Sequence, residues 1–255
     1  MHPRGMNSPL QSPKKRRQLL LVGAMLLVMG GIIIVLFLHT DTSAPDLSAS
    51  PWLNLKFSSF DQGLVGSGGT KSETRKLDTY SAIESDGAID IKWSPGPTPS
   101  AVVETDANLV PHVKTEVVGG TLKIYTDGNI SSSGAMTVTL TGPPPTRVEL
   151  SGSGDFTATS LEGDTLDITA AGSSDIKLSG KLRKLTVDLS GSGDVDAINL
   201  KTESTKLTIA GSGDAKVDAT DTLDATIMGS GSVTYRGKPA HLTQDIAGSG
   251  SINPE

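Results

Sequence analysis

Most of the chain after residue 70 alternates apolar and polar residues in short segments. In a β-strand, such alternation places the apolar side chains on one face and the polar side chains on the other. Clear examples are residues 88–93, 122–125 and 136–140. The pattern predicts an all-β domain whose strands each bury one face.

A glycine turn interrupts this pattern at regular intervals. Gly-Ser-Gly-Asp, or a close variant of it, begins at residues 152, 172, 191, 211, 229 and 248. Alternating segments precede and follow each turn, and fixed self-similarity at such a period is typical of a solenoid. The turn glycines are Gly152, Gly154, Gly172, Gly191, Gly193, Gly211, Gly213, Gly229, Gly231, Gly248 and Gly250.

The length of the repeat selects the kind of solenoid. About 19–20 residues are too few for a helical pair or a propeller blade, but they suit one coil of a parallel β-helix. Leucine-rich repeats have a different signature, and an antiparallel barrel would not explain one identical turn in every coil. A corner that needs positive φ, or that lies against an identical corner, would require glycine.

Four aspartates follow the glycine turns at equivalent positions: Asp155, Asp175, Asp194 and Asp214. Stacked coils would place them about 4.8 Å apart, where neighbouring carboxylates repel by only about 0.9 kcal/mol in water. We expect each aspartate to accept hydrogen bonds from backbone amides of its own turn. The alternative is a calcium site, as in the aspartate-containing repeats of β-rolls; otherwise no cofactor is expected.

The N-terminal part has a different character. Residues 19–38 form twenty consecutive residues without a charged side chain, enough for a helix across a bilayer, and Lys14, Lys15, Arg16 and Arg17 precede them. We therefore predict a cytoplasmic basic tail (1–18), a transmembrane helix (19–38), a flexible linker (39–69) and an exported β-domain (70–255). A signal peptide cleaved near residues 42–44 is the alternative.

Composition narrows the possible functions. The chain has 255 residues, no cysteine and a net charge of −6. Because residues 1–40 hold five basic groups and no acids, the remainder carries −6 − 5 = −11. This charge argues against nucleic acid as a partner. The lack of cysteine excludes disulfides, thiol catalysis and thiolate metal sites.

No catalytic residues are predicted. The histidines show no metal-ligand spacing, and the glycine-serine turns are repeats rather than one strained nucleophile. The alternative is a polysaccharide-acting enzyme or a carbohydrate-binding module on the same scaffold. Its candidate acids would be Asp167, Asp188 and Asp196, and its candidate sugar-stacking aromatics Trp52, Trp93, Tyr80, Tyr125 and Tyr235.

The motifs together resemble the DUF2807 family, the auto-transporter adhesin head GIN domain. The resemblance rests on residues 66–68, 73–75, 83–93, 102–109 and 120–124, the glycine-aspartate turns, and the ending at 229–239 and 248–252. It implies a right-handed parallel β-helix on the bacterial cell envelope, with no established activity and no catalytic residues.

Many members of that family resemble lipoproteins, whereas this chain has no cysteine and has the apolar segment instead. We therefore expect a non-enzymatic adhesin, or an envelope binding or structural module. We place it in the bacterial cytoplasmic membrane with its C-terminal domain outside. An envelope glycan or another protein is the expected partner, and the sequence does not specify an oligomeric state.

Overall fold

Almost all residues that the structure describes lie in β-strands. The structure is a computed structural model that describes residues 24–29, 32–37 and 63–255. The chain divides into two compact units, Met1–Phe57 and Ser58–Glu255. The strands before the repeats are β1 (Ala24–Met29), β2 (Ile32–Phe37), β3 (Leu64–Val65), β4 (Thr70–Lys76), β5 (Ala82–Gly87), β6 (Asp90–Pro95), β7 (Ser100–Asp106), β8 (Val113–Val118), β9 (Thr121–Thr126), β10 (Ile130–Ser131) and β11 (Thr137–Gly142).

The repeat region follows directly. Its strands are β12 (Arg147–Gly152), β13 (Phe156–Gly172), β14 (Ile176–Gly191), β15 (Val195–Gly211), β16 (Ala215–Gly229), β17 (Ser232–Arg236), β18 (His241–Gly248) and β19 (Ser251–Pro254). A short 3₁₀ helix, Val110–His112, lies between β7 and β8.

In the first unit, β1 and β2 pair antiparallel. The predicted transmembrane helix over residues 19–38 is therefore not seen, since its described parts are strands and its other residues lie outside the described part of the chain. Two six-residue apolar runs separated by Gly30-Gly31 also match the pattern of a tight hairpin, and the β-branched residues of 32–35 favour strands. Across residues 24–29, 32–37 and 63–255, no helix has the length and apolarity to span a membrane. The predicted basic tail, 1–18, also lies outside the described residues.

The second unit is a parallel β-solenoid of about five turns. The strands β13 to β16 are 15 to 17 residues long, and each forms most of one coil. Successive coils pair in register, so that each turn glycine stacks on the glycine of the coil below. The predicted period, the parallel pairing and the all-β class are confirmed.

Inside the solenoid, side chains at equivalent positions form buried columns. One column consists of Ile83, Val148, Ile168, Val187, Leu207 and Ala225. A facing column consists of Ile91, Phe156, Ile176, Val195, Ala215 and Val233. Every member of both columns is at most 1% exposed. The buried apolar area of these columns provides the main stabilisation of the coil stack.

The first coils do not follow the order of the chain. Strands β5 and β6 pair on one edge with β9 and β11, and on the other edge with β12 and β13. The chain thus forms the coil β5–β6 first, places β9 and β11 below it, and then crosses back to build β12 above it. The backbone N–H of Thr146 donates to the carbonyl of Ser81 at 2.8 Å where the chain crosses back. Antiparallel partners, β8 on β9 and β7 on β11, close this end of the solenoid.

The last residues of the predicted linker, 63–69, belong to the solenoid domain. Strand β3 pairs with β10, and the backbone N–H of Gly66 donates to the carbonyl of Ser131 at 2.8 Å. The backbone N–H of Gly68 donates to the Oδ1 atom of Asp106 at 2.7 Å. The domain therefore begins at or before residue 63, and residues 39–62 lie outside the described residues.

Asp106 accepts four hydrogen bonds, one from the entry segment and three from residues 132–133. Besides Gly68, the donors are the hydroxyl of Ser132 (2.7 Å, to Oδ2) and the backbone N–H and hydroxyl of Ser133 (2.9 Å to Oδ2 and 2.7 Å to Oδ1). These bonds, the hydroxyl of Ser132 foremost, lower the pKa of Asp106 from 3.8 to about 2. A buried, ionised carboxylate thus joins two segments that are far apart in sequence.

We expect the domain to lose stability in acid through Asp106. The lowered pKa means that the contribution is fully present above about pH 4 and is lost as the pH falls toward 2, because the unfolded state binds the proton more readily. In thermal unfolding between pH 5 and 2, Asp106→Asn should be less stable than the parent at pH 5 and show a flatter profile. The exposed Asp167→Asn should keep the parental slope, and an unchanged slope in Asp106→Asn would contradict the assignment.

Candidate functional site

The glycine corners are places where one backbone lies directly against the next. Gly172 has φ +124°, and a Cβ there would lie 2.0 Å from the carbonyl oxygen of Gly152. Gly211 has φ +149°, and its Cβ would lie 1.9 Å from the carbonyl oxygen of Gly191. Any other residue would therefore meet both a strained backbone and a steric clash. The same crowding recurs at Gly191, Gly229 and Gly248.

The second glycine of each turn is restricted by space alone. A Cβ at Gly193 would lie 2.0 Å from the carbonyl oxygen of Ser174, and one at Gly213 2.0 Å from that of Gly193. Ser174 replaces this glycine in one coil, is 2% exposed, and directs its hydroxyl toward the carbonyl of Gly152 at 3.5 Å.

The turn aspartates form a continuous ladder of hydrogen bonds along the solenoid. Each carboxylate accepts the backbone N–H of the aspartate one coil further on. The Oδ1 atom of Asp155 accepts from Asp175 (3.0 Å), that of Asp175 from Asp194 (3.0 Å), and that of Asp194 from Asp214 (2.8 Å). We expected each carboxylate to accept amides of its own turn. Instead, each accepts an amide of the next coil, because stacking places that amide beside the carboxylate.

Two members of the aspartate ladder were not found from the sequence. Asp90 begins the ladder, since its Oδ1 atom accepts the backbone N–H of Asp155 at 3.1 Å. Ser232 ends it, donating both its N–H and its hydroxyl to Oδ1 of Asp214, at 2.8 and 2.7 Å. The sequence Gly87-Ala88-Ile89-Asp90 has the spacing of the other turns, but Ala88 and Ile89 replace the serine and glycine that mark the motif.

The hydrogen bonds of the aspartate ladder indicate that it stabilises the stacking of the coils. Across the described ranges, no three His, Cys, Asp or Glu side chains come together in a way that could hold a metal ion. One oxygen of each ladder carboxylate already accepts an amide N–H, and such charge-assisted bonds are stronger than neutral ones. We therefore interpret Asp155, Asp175, Asp194 and Asp214 as residues that hold neighbouring coils together. The calcium alternative is tested below.

A charged column runs beside the aspartate ladder, on the outer side of the strand segments that follow the glycine turns. Lys177, Asp196 and Lys216 occupy equivalent positions in three successive coils. Together with Asp175, Asp194 and Asp214 they line a shallow open depression of about 290 Å³. Alternating cations and anions on an open strand face can bind an extended polar chain through several weak contacts. We refer to Lys177, Asp196 and Lys216 as the charged column.

The acids considered for polysaccharide chemistry lie in two different parts of the coils. Asp196 lies in the strand segment that follows a glycine turn, whereas Asp167 and Asp188 lie in segments that precede the turns, each opposite threonine or arginine side chains. Asp167 pairs with Arg147 and Thr186. Asp167 and Asp188 are offset by two residues on adjacent coils, on an open strand face with threonine and arginine neighbours, and no cleft formed by the described residues surrounds them.

The described aromatic residues considered for sugar stacking pack in or against the core or form hydrogen bonds within the domain. Trp93 and Tyr80 are both 2% exposed and belong to the core, and burial raises the pKa of Tyr80 to about 12. The hydroxyl of Tyr125 donates to Glu116 on the neighbouring strand. Tyr235 packs against the core near the C-terminal end, and Trp52 lies outside the described residues.

One histidine takes part in an exposed ion cluster. The Nδ1 atom of His112 lies 2.7 Å from Oδ1 of Asp127, and Nζ of Lys114 lies 2.8 Å from Oδ2 of the same carboxylate. Lys114, followed by His112, lowers the pKa of Asp127. His241 lies on β18, at the opposite end of the solenoid domain.

These features define a class of protein: a parallel β-solenoid with glycine corners and polar outer faces. A family model described as "Putative auto-transporter adhesin, head GIN domain" (DUF2807) matches residues 79–239. The chain belongs to this family, as its turn motifs suggested. No curated protein matches the chain.

Solved structures share the fold. A crystal structure described as a putative adhesin from Bacteroides fragilis is 22% identical, covers 76% of this chain and all of its own, and has a TM-score of 0.63. A putative lipid binding protein from Parabacteroides distasonis is 26% identical, with the same coverage and a TM-score of 0.53. A putative adhesin from Parabacteroides merdae is 22% identical over 76% of this chain and 99% of its own, with a TM-score of 0.52.

We expect Asp194→Ala to destabilise the domain by about 1 kcal/mol, because the N–H of Asp214 loses its acceptor. Asp194→Asn keeps an acceptor oxygen and should lose less. Asp188→Ala, at an exposed strand position away from the aspartate ladder, should be nearly neutral. Denaturant unfolding of the three variants measures these differences.

The same unfolding experiment tests the calcium alternative. We expect millimolar calcium to leave the unfolding midpoint unchanged, since a ligand that binds only the folded state would raise it. A calcium-dependent increase that disappears in the double variant Asp175→Asn/Asp194→Asn would instead make the ladder a metal site.

Proposed function

We propose that this protein is a non-enzymatic adhesin-type module held at the bacterial cell envelope. Membership of the adhesin family supports the adhesin-like role. The observation that carries the proposal is the distribution of the outward acids, which lie on open strand faces at the regular spacing of the coils rather than in a cleft. Binding through an evenly polar, open face needs no such grouping.

We further propose that residues 19–38 anchor the protein in the cytoplasmic membrane, with the solenoid domain outside the cell. The support is in the sequence: twenty uncharged residues directly follow the basic cluster 14–17. By the positive-inside rule, that cluster remains cytoplasmic. Cleavage as a signal peptide near residues 42–44 is the competing outcome.

The anchor is tested by expressing the full chain with a C-terminal tag in a bacterium. We expect the tagged protein in the membrane fraction after an alkaline wash, with the domain accessible to protease in spheroplasts. Leu27→Arg/Ile34→Arg should release it, because each arginine at mid-membrane costs about 2.5–3.5 kcal/mol. Leu53→Arg, outside the apolar segment, should stay membrane-bound. A soluble parent product that begins near residue 44 would contradict the anchor and support a cleaved signal.

We propose an extended envelope partner, a glycan or another protein, that lies along the charged column. The column runs through three coils, so that a linear chain could follow it and make repeated contacts. A polysaccharide-acting enzyme on the same scaffold is the alternative function. A lipid partner, suggested only by the description of the Parabacteroides distasonis protein, finds less support, since the interior columns are filled by side chains.

Binding of the domain to immobilised envelope polysaccharides and envelope protein extracts tests the partner. The double variant Lys177→Glu/Lys216→Glu should weaken binding about tenfold, equivalent to about 1.4 kcal/mol. The control Lys184→Glu/Lys206→Glu makes the same charge change on strands β14 and β15, away from the charged column, and should bind as the parent does. Equal loss in both variants would leave only a non-specific charge effect. Release of new reducing ends from a polysaccharide would support the enzymatic alternative.

A further inference from the structure

The C-terminal end of the solenoid is open. Within the described residues, β18 pairs only with β16 and β19 only with β17, so each strand has one edge without a partner strand. Leu242 and Ile246 on β18 are 42% and 41% exposed. They continue the columns of Leu223 and Ile227, which are fully buried one coil below. The last coil thus presents an uncovered continuation of the core.

The opposite end of the solenoid cannot accept this edge. Antiparallel partners already occupy the lowest strands, with β8 on β9 and β7 on β11. A second copy therefore cannot continue the parallel stack head to tail. The open end of one copy can meet the equivalent open end of another.

Charge distinguishes the open edge from the other free edges. Strand β4 carries Lys71, Glu73, Arg75 and Lys76, and β8 carries Lys114 and Glu116. Charged side chains of this kind protect edge strands from pairing with another chain. In contrast, β18 carries one aspartate and one histidine, and β19 carries no charge.

The sequence of β18 is self-complementary in one antiparallel register. When Leu242, Gln244 and Ile246 all face the core side, Leu242 lies opposite Ile246 of the second copy, and Gln244 lies opposite itself. Gln244 occupies a column that is otherwise apolar, following Leu207 and Ala225. Two glutamine amides across a two-fold axis can each donate and accept a hydrogen bond. This pairing would satisfy the hydrogen bonding of Gln244 in a column that is otherwise apolar.

The outward side of β18 is complementary in charge in the same register. His241 lies diagonally across from Asp245 of the second copy, at a separation that cross-strand side chains can bridge. The two-fold axis generates this contact twice. In β19, Pro254 has no N–H and limits pairing along that edge, so β18 provides the main contact.

We propose that the solenoid domain forms a two-fold symmetric dimer in which β18 of each copy pairs antiparallel with β18 of the other. The contact extends one sheet across both copies and covers Leu242 and Ile246. Because the same surface is used on both sides, assembly stops at two copies. A membrane-held module would then present two solenoids pointing away from a shared centre.

Sedimentation velocity of residues 58–255 over a range of concentrations tests the dimer. This segment is a compact unit, and solved relatives are matched over essentially their whole length by 76% of this chain, so the domain folds without the N-terminal part. We expect twice the monomer mass for the parent and a monomer for Ile246→Lys. Val118→Lys, which adds the same charge to the exposed end of β8, should remain a dimer.

A cysteine variant tests the register and does not depend on disrupting the contact. The chain has no cysteine, so a single one can cross-link only to its copy. Gln244→Cys should form a disulfide-linked dimer quickly under mild oxidation, because directly opposite residues have the required Cβ separation. Thr243→Cys, which faces outward and lies opposite Asp245 instead, should cross-link slowly.

Four results would overturn the proposal. They are a parent protein that is monomeric at all concentrations, a mass that grows without limit, a dimer that persists in Ile246→Lys, and equal cross-linking rates for the two cysteine variants. Circular dichroism melts of each variant show that a change in mass is not caused by unfolding. A parent that is monomeric alone but gains mass with another envelope protein would assign the edge to that protein, and would also overturn the dimer.

Discussion

The close approach of stacked corners is the constraint on which the rest of this structure depends. At each corner the backbone of one coil lies within contact of the backbone below, so that a single Cβ at Gly172 or Gly211 would meet a carbonyl oxygen about 2 Å away. This proximity keeps the coils in register and places each aspartate amide beside the carboxylate of the previous coil. The register in turn aligns the side chains in the columns that form the core. The glycines, the aspartate ladder and the apolar columns are thus three consequences of one stacking geometry.

A solenoid built by such stacking must be closed at its ends, and this chain treats its two ends differently. At the N-terminal end, the chain departs from sequence order, and antiparallel strands cover the first coils. Asp106 links the entry segment to residues 132–133 there through hydrogen bonds with Gly68 and Ser133. The C-terminal end leaves the core columns uncovered at Leu242 and Ile246. The N-terminal end is therefore closed by its own strands, whereas the C-terminal end has an exposed apolar surface of the kind found at interfaces.

The same geometry favours binding over catalysis. A parallel stack spreads outward side chains at fixed intervals, so that neighbouring acids on one strand face are separated by regular spacings rather than converging on one bond. The charged column and the aspartate ladder illustrate this arrangement, because their charges alternate or are already hydrogen-bonded. Evenly distributed polar groups suit a long partner that makes many weak contacts. Membership of an adhesin family is consistent with this physical argument.

Much of the solenoid was predictable from the sequence, because each coil repeats the same glycine turn and the same alternation of apolar and polar residues. The period, the all-β class, the parallel stacking and the need for glycine at the corners follow from a motif that recurs six times. The pattern of apolar residues in 19–38 was compatible with both a helix and a hairpin, and its described parts are strands. What only the tertiary structure decided concerns contacts between segments far apart in the chain. These are the out-of-order first coils, the attachment of residues 63–69 to Asp106, the membership of Asp90 in the ladder, and aspartate bonds that link coils rather than close their own turns. A repeated local sequence predicts contacts between coils that follow one another in the chain. It does not predict coils that stack out of chain order, because these do not change the period of the motif. A hydrogen-bond partner one coil away is fixed only when the coils stack.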